Sequence, residues 1–106
     1  MASRLKLDQI LRELLKTGNV YYQPPESIKL AYPCFVYGRI RSDNRRADNI
    51  KYLSFHRYKV TYIDRNPDSP LPDTIEELPY CELTSCYAAD GLNHWVYEIS
   101  IENTKK

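Results

Sequence analysis

An α+β domain is the fold class that this 106-residue chain predicts, with an antiparallel sheet of about four to five strands flanked by an N-terminal helix and a short second helix. Three observations lead there. Near the N-terminus, apolar residues recur at three- and four-residue spacing, the pattern of a helix with one buried stripe. From Cys34 onward the period changes to two, as in strands buried on one face. Clusters of Pro, Asp, Asn, Ser and Gly separate these runs. Strands joined by hairpins, with helices set apart in sequence, build one sheet with helices on a face.

The elements follow in order. Leu7, Ile10, Leu11, Leu14 and Leu15 make the stripe of a helix over Ser3–Thr17, with Ser3 as N-cap and Gly18-Asn19 as the stop. Val20-Tyr21-Tyr22 reads as a short strand, ended by Pro24-Pro25, which lack the N–H groups a ladder needs. Glu26 to Tyr32 is a connector, with Pro33 holding Tyr32 extended. Cys34–Arg41 is the next strand, with Phe35, Tyr37, Arg39 and Arg41 sharing a face. The polar run Ser42–Lys51 predicts a mobile hairpin tip. Tyr52–Asp64 returns as a half-buried antiparallel strand with His56, Tyr58, Val60 and Tyr62 on one side. Asn66-Pro67-Asp68-Ser69-Pro70 is a turn, and Leu71–Leu78 a short helix opened by Pro72 and closed by Pro79. Glu82–Tyr87 and Asn93–Ile101 are two further strands around an Ala88-Ala89-Asp90-Gly91 turn. Residues 102–106 form a polar tail of this single domain, 1–106.

Composition narrows the function. Fifteen Lys and Arg against fourteen Asp and Glu leave a net charge of +1, unlike the basic excess of a dedicated nucleic-acid binder. No apolar run approaches the ~20 residues of a membrane span, and Arg4, Lys6 and Asp8 among the leading leucines are not those of a signal peptide. Three cysteines, an odd number, point to free thiols in a reducing compartment. Ten tyrosines stand out, because a ring with a polar tip suits positions buried on one side and wet on the other, in a thin core or an interface.

The reactive side chains do not assemble into a chemistry. Cys81 and Cys86 lie five apart with no histidine pair beside them, which fits semi-buried thiols better than a zinc site. Cys34 opens a Phe-Val-Tyr run, where a thiol stays protonated and inert. No nucleophile elbow, Walker loop or dinucleotide fingerprint occurs, and neither a cofactor nor an enzymatic activity is expected. The one constellation that suggests contact with a partner is cationic: Arg39, Arg41, Arg45, Arg46, Lys51, Arg57 and Lys59 lie along one hairpin and its tip, interrupted by Asp43 and Asp48. A solvated hairpin explains them, and so does an arm that meets a neighbouring subunit or passing DNA.

The ordered motifs resemble a known family. Tyr21-Tyr22-Gln23-Pro24-Pro25-Glu26, Tyr32-Pro33-Cys34-Phe35-Val36-Tyr37 and Tyr58-Lys59-Val60-Thr61, followed by Ile63-Asp64-Arg65-Asn66-Pro67-Asp68-Ser69, Leu78-Pro79 and Asp90-Gly91-Leu92-Asn93-His94, are similar to the tail terminator (tail completion) proteins of long-tailed bacteriophages and prophages. The order and spacing of the motifs, from about residue 5 to residue 101, carry the resemblance. It implies an antiparallel sheet flanked by helices, and a hexameric ring that caps the tail tube and offers the docking surface for the head, without cofactor or catalytic residue. It also implies copies of the chain, the major tail tube protein and head connector proteins as partners, with contact to passing DNA free of sequence specificity. The location would be the virion neck, and the host cytoplasm during assembly. Three rival readings are another neck or head-completion ring protein, a small nucleic-acid-binding module that uses the Arg-rich hairpin and tyrosine stacking, and, ranked last, an enzyme that pairs Cys34 or Cys86 with His56 or His94.

Overall fold

Leu7 and Leu11, one helical turn apart, lose all contact with solvent, and each burial contributes about 2 kcal/mol. They anchor α1 (Ser3–Leu15). The computed structural model describes residues 3–16, 18–47 and 50–102, with side chains described at all of these except Ser3 and 41–54. The helix stops earlier than Gly18 suggests. Lys16 turns left-handed at φ 62° and its N–H bonds to the Arg12 carbonyl at 2.8 Å, closing the last turn without glycine. Thr17, the expected last helical residue, lies outside the described residues, as do Asn103–Lys106 of the polar tail.

Five strands form one sheet: β1 (Val20–Tyr22), β2 (Cys34–Ala47), β3 (Ile50–Asp64), β4 (Cys81–Ala89) and β5 (Leu92–Glu102). Their order is β1-β2-β3-β5-β4. A second helix, α2 (Leu71–Glu76), sits between β3 and β4 in sequence. The fold is α+β with the expected strand count, but the sheet is mixed, because β1 pairs with β2 in parallel, Val20 opposite Phe35 and Tyr22 opposite Tyr37. Parallel neighbours need a crossover, and residues 23–33 supply it. Asn19 closes this corner, accepting the Phe35 N–H at its carbonyl (2.9 Å) and donating from Nδ2 to the Pro33 carbonyl (3.2 Å). The Tyr32–Pro33 peptide bond is cis.

The register puts Phe35, Tyr37, Tyr58, Val60, Tyr62, Tyr97, Ile99 and Ile101 on one face, against Leu7, Leu11 and Ile75 from the two helices. Four of these core residues are tyrosines that are almost fully buried. The hydroxyl contacts of Tyr37, Tyr62 and Tyr97 show how a thin core tolerates so many. Tyr37 donates to Asp8 on α1 at 2.6 Å, Tyr62 donates to Asp64 at 2.6 Å and lies 3.2 Å from Ser69 Oγ, and Tyr97 reaches the Pro72 carbonyl at 3.3 Å. Each ring fills the core while its tip ties the sheet to a helix or turn.

The turns use the chemistry their residues suggest. Asp64 accepts the Asn66 N–H, Asn66 accepts the Asp68 N–H, and Ser69 accepts the Leu71 N–H that opens α2. Asp90 and Gly91, at φ 53° and 74°, form the two-residue hairpin between β4 and β5.

The largest departure from expectation lies in Ser42–Lys51. Pairing does not end at Arg41. It runs from Ser42 opposite His56 to Ala47 opposite Ile50, with irregularities after Arg39 and after Arg45. A ladder is made by backbone groups, so a run without apolar residues still pairs when its hairpin partner is held in register. Eight residues of the expected ten-residue tip are therefore strand, and the other two, Asp48 and Asn49, lie outside the described residues.

Candidate assembly surface

Because β5 ends its pairing at Phe55 opposite Glu102, and β1 covers only Phe35–Tyr37 of β2, the β2–β3 ribbon runs on alone. Six residues from Ser42 to Ala47, at about 3.3 Å each, carry it roughly 20 Å past the sheet. The fifteen residues of β3 account for the long dimension of the molecule, 51 Å against 25 and 23 Å across.

The seven candidate cations fall into different settings. Arg39 and Lys59 are exposed where the ribbon leaves the sheet, opposite Tyr58 and Gly38 respectively. Arg57 is held within the chain. Its Nε donates to Glu98 at 2.6 Å, Nη1 to Ser100 Oγ at 2.8 Å, and Nη2 approaches Glu82 at 3.4 Å. The guanidinium thus spans β3, β5 and β4 on the face away from the helices, a charge-assisted bracket across three strands. Arg41, Arg45, Arg46 and Lys51 lie on the ribbon, opposite Arg57, Leu53, Lys51 and Arg46 in turn, and their side chains lie outside the described ones.

The second feature of the surface is β4. It is an edge strand bonded only to β5 within the sheet, and every residue after Cys81 is exposed. Leu83 and Tyr87 remain open to solvent there, and Tyr80 just before it is 69% exposed, at φ 57°, with its ring 5.5 Å from Phe55. A bulge between Leu83 and Ser85 lets the Thr84 hydroxyl donate back to the Val96 carbonyl at 3.1 Å. Tyr87 stacks on His94 at 4.6 Å, and His94 Nδ1 is buried without a hydrogen-bond partner among the described residues. Sequence reasoning placed a strand here but not its edge position, since Cys81–Ala89 lacks a strong alternation to show which neighbour it has.

A shallow apolar groove of about 170 Å³ lies between α1 and the chain leading into β4, lined by Ile10, Leu78, Pro79, Tyr80 and Ile101 among others. Its polar lining residues are Lys6, Ser100 and Glu102. Of the thiols, burial pushes Cys34 and Cys81 up to about 11, which keeps them protonated, while Cys86 is exposed on β4. Among the described residues no group of three or more His, Cys, Asp or Glu is placed to hold a metal ion. No described helix is long and apolar enough to cross a membrane. No family model and no curated protein matches the sequence.

What this surface can do is form contacts: a long ribbon that no other described strand flanks over Ser42–Ala47, an exposed edge strand, and apolar rings beside both.

Proposed function

We propose that this protein is a structural virion component, a tail terminator whose copies form a ring that caps the tail tube and presents the docking surface for the head. The observation that carries the reading is the β2–β3 ribbon running past the helix-backed sheet. Along Ser42–Ala47 the ribbon pairs, among the described strands, only with itself, which leaves its two outer edges for a neighbouring molecule. A closed ring requires two different surfaces on each subunit, and the ribbon and the β4 edge are two such surfaces. The resemblance of the ordered motifs to tail terminators supplies the identity of the ring.

Under this reading the partners are copies of the chain, the major tail tube protein, head connector proteins, and DNA passing through the ring without sequence-specific contact. The protein acts by binding and carries out no catalysis. Its place is the virion neck, reached from the host cytoplasm during assembly.

The test is tube growth. Purified protein added to polymerising tail tube protein is expected to halt elongation and leave tubes with one blocked end. Arg45→Glu with Arg46→Glu is expected to abolish that block while leaving the melting curve unchanged. Tubes that elongate equally with and without the intact protein would refute the reading.

A further inference from the structure

The chain is electrically divided. Up to residue 65 it carries thirteen Lys and Arg against six Asp and Glu, whereas Asn66 to Thr104 holds eight Asp and Glu and no Lys or Arg. The fold sorts the two halves. The acidic half forms α2, β4 and β5, with β4 at the sheet edge and α2 packed beside it. The basic half includes the ribbon, where Arg39, Arg41, Arg45 and Arg46 stand against Asp43 within a single strand, β2.

The two sheet edges are also unequal. β1 is three residues long and is followed by Pro24-Pro25, which offers little for another strand to pair with. β4 is nine residues long, about 30 Å of ladder, with no strand on its outer side. Long open edges are templates for pairing unless they are blunted. This one has a bulge but no proline and no Lys or Arg. Past Tyr37, β2 likewise has no β1 beside it.

We infer that β4 is the docking edge for a second copy of this chain, and that its occupant is the outer flank of the ribbon strand β2, residues 39–47, of that copy. This rests on the ring reading for the closure of the contacts into a ring. Charge decides between the two ways in which copies can meet at β4. Two β4 edges paired antiparallel about a twofold axis near Cys86 would set Glu82 of one copy toward Asp90 of the other, like against like, and would bring no basic residue of β4 to Glu76 and Glu77. The ribbon of another copy brings arginines to those carboxylates instead, and the exposed Leu83 and Tyr87 gain cover in the same contact. Such a contact is head-to-tail, so it propagates around a ring and does not stop at a dimer. Complementary charge also speeds encounter and rejects the wrong pairing.

A charge swap tests this. Self-association of the intact protein is measured by sedimentation at low and raised salt, beside Arg45→Glu/Arg46→Glu, Glu76→Lys/Glu77→Lys, and all four together. Each pair is expected to weaken association roughly ten- to a hundredfold, the combined value of a few surface ion pairs. The four-fold variant is expected to recover to within about threefold, and raised salt to weaken the intact protein. Glu76 and Glu77 are exposed, so the fold should tolerate the change. Cross-linking gives a second measurement. Cys86 is exposed near the middle of β4, and under mild oxidation it is expected to join a cysteine placed by Asn44→Cys on the ribbon of another copy. A Cys86–Cys86 dimer as the main product would overturn the inference, as would reversals without effect or a swap that fails to rescue. A ring that survives both reversals removes the docking edge and leaves the ring. Association that obeys the swap but yields filaments or dimers keeps the edge and removes the ring. A chain that stays monomeric at its highest soluble concentration removes both.

Discussion

Raising the pH should unfold this protein well before arginine or backbone chemistry intervenes, because its core is built on groups that must keep their protons. Burial and the Asp64 carboxylate push Tyr62 up to about 12 from an ordinary 10.0, and Tyr37 and Tyr97 are raised further, burial again being the main cause. Cys34 and Cys81 rise from 9.0 to about 11 for the same reason. In every case the folded chain holds its proton longer than the unfolded chain. The stability from these groups is therefore complete below the unfolded values and is lost as pH climbs from 9 toward the folded values. At pH 10 a thiol held one or more units above that pH costs about 1.4 kcal/mol and a tyrosine about 0.4 kcal/mol. Cys34 and the three tyrosines together then remove about 2.5 kcal/mol, with a smaller share from the half-buried Cys81. A small domain has about 5–15 kcal/mol in all. The assay is urea unfolding followed by Trp95 fluorescence at stepped pH, with tyrosinate absorbance recorded in parallel. Stability is expected to fall from pH 9 upward, and Cys34→Ala should delay the onset toward pH 10. All ten tyrosines titrating together near the ordinary value, with midpoints unchanged up to pH 11, would refute the reasoning.

Two further outcomes follow from named contacts. Arg57→Met leaves Glu98 half-buried without its partner and should cost about 2 kcal/mol in chemical unfolding; a variant as stable as the parent would mean that the bracket across β3, β5 and β4 contributes nothing. Tyr37→Phe removes the donor to Asp8, whose burial works against its charge but whose pKa is nonetheless held below 3.8 by Tyr37 and by Arg12 and Arg4. Since a depressed carboxylate contributes stability above its unfolded value that is lost as pH falls through its folded one, the parent should lose stability on acidification below pH 3.8 and the variant should lose less.

Much of the architecture was legible in the sequence, for reasons that also explain what was not. The helical stripe and the alternation in β3 and β5 mark faces that the core must bury, so the periods that water imposes on the chain reveal them directly. The parallel direction of β1 left no such trace, since three residues show which face is buried but not which way a neighbour runs. Lys16 closes α1 in a conformation usually left to glycine, and there the backbone bond to Arg12 outweighs the residue's preference. The ribbon over Ser42–Ala47 was invisible because its pairing is a main-chain property and its side chains carry no apolar rhythm. Of the candidate surface, the cations were readable as a cluster. That Arg57 closes on three strands, and that β4 lies at the edge, depends on strand order, which no single run of residues encodes.

Images of the purified protein, alone and bound to tube ends, test the central claim most directly. The account predicts closed rings with sixfold symmetry seated on one end of each tube. Single subunits scattered in the field, with every tube end bare, would contradict it.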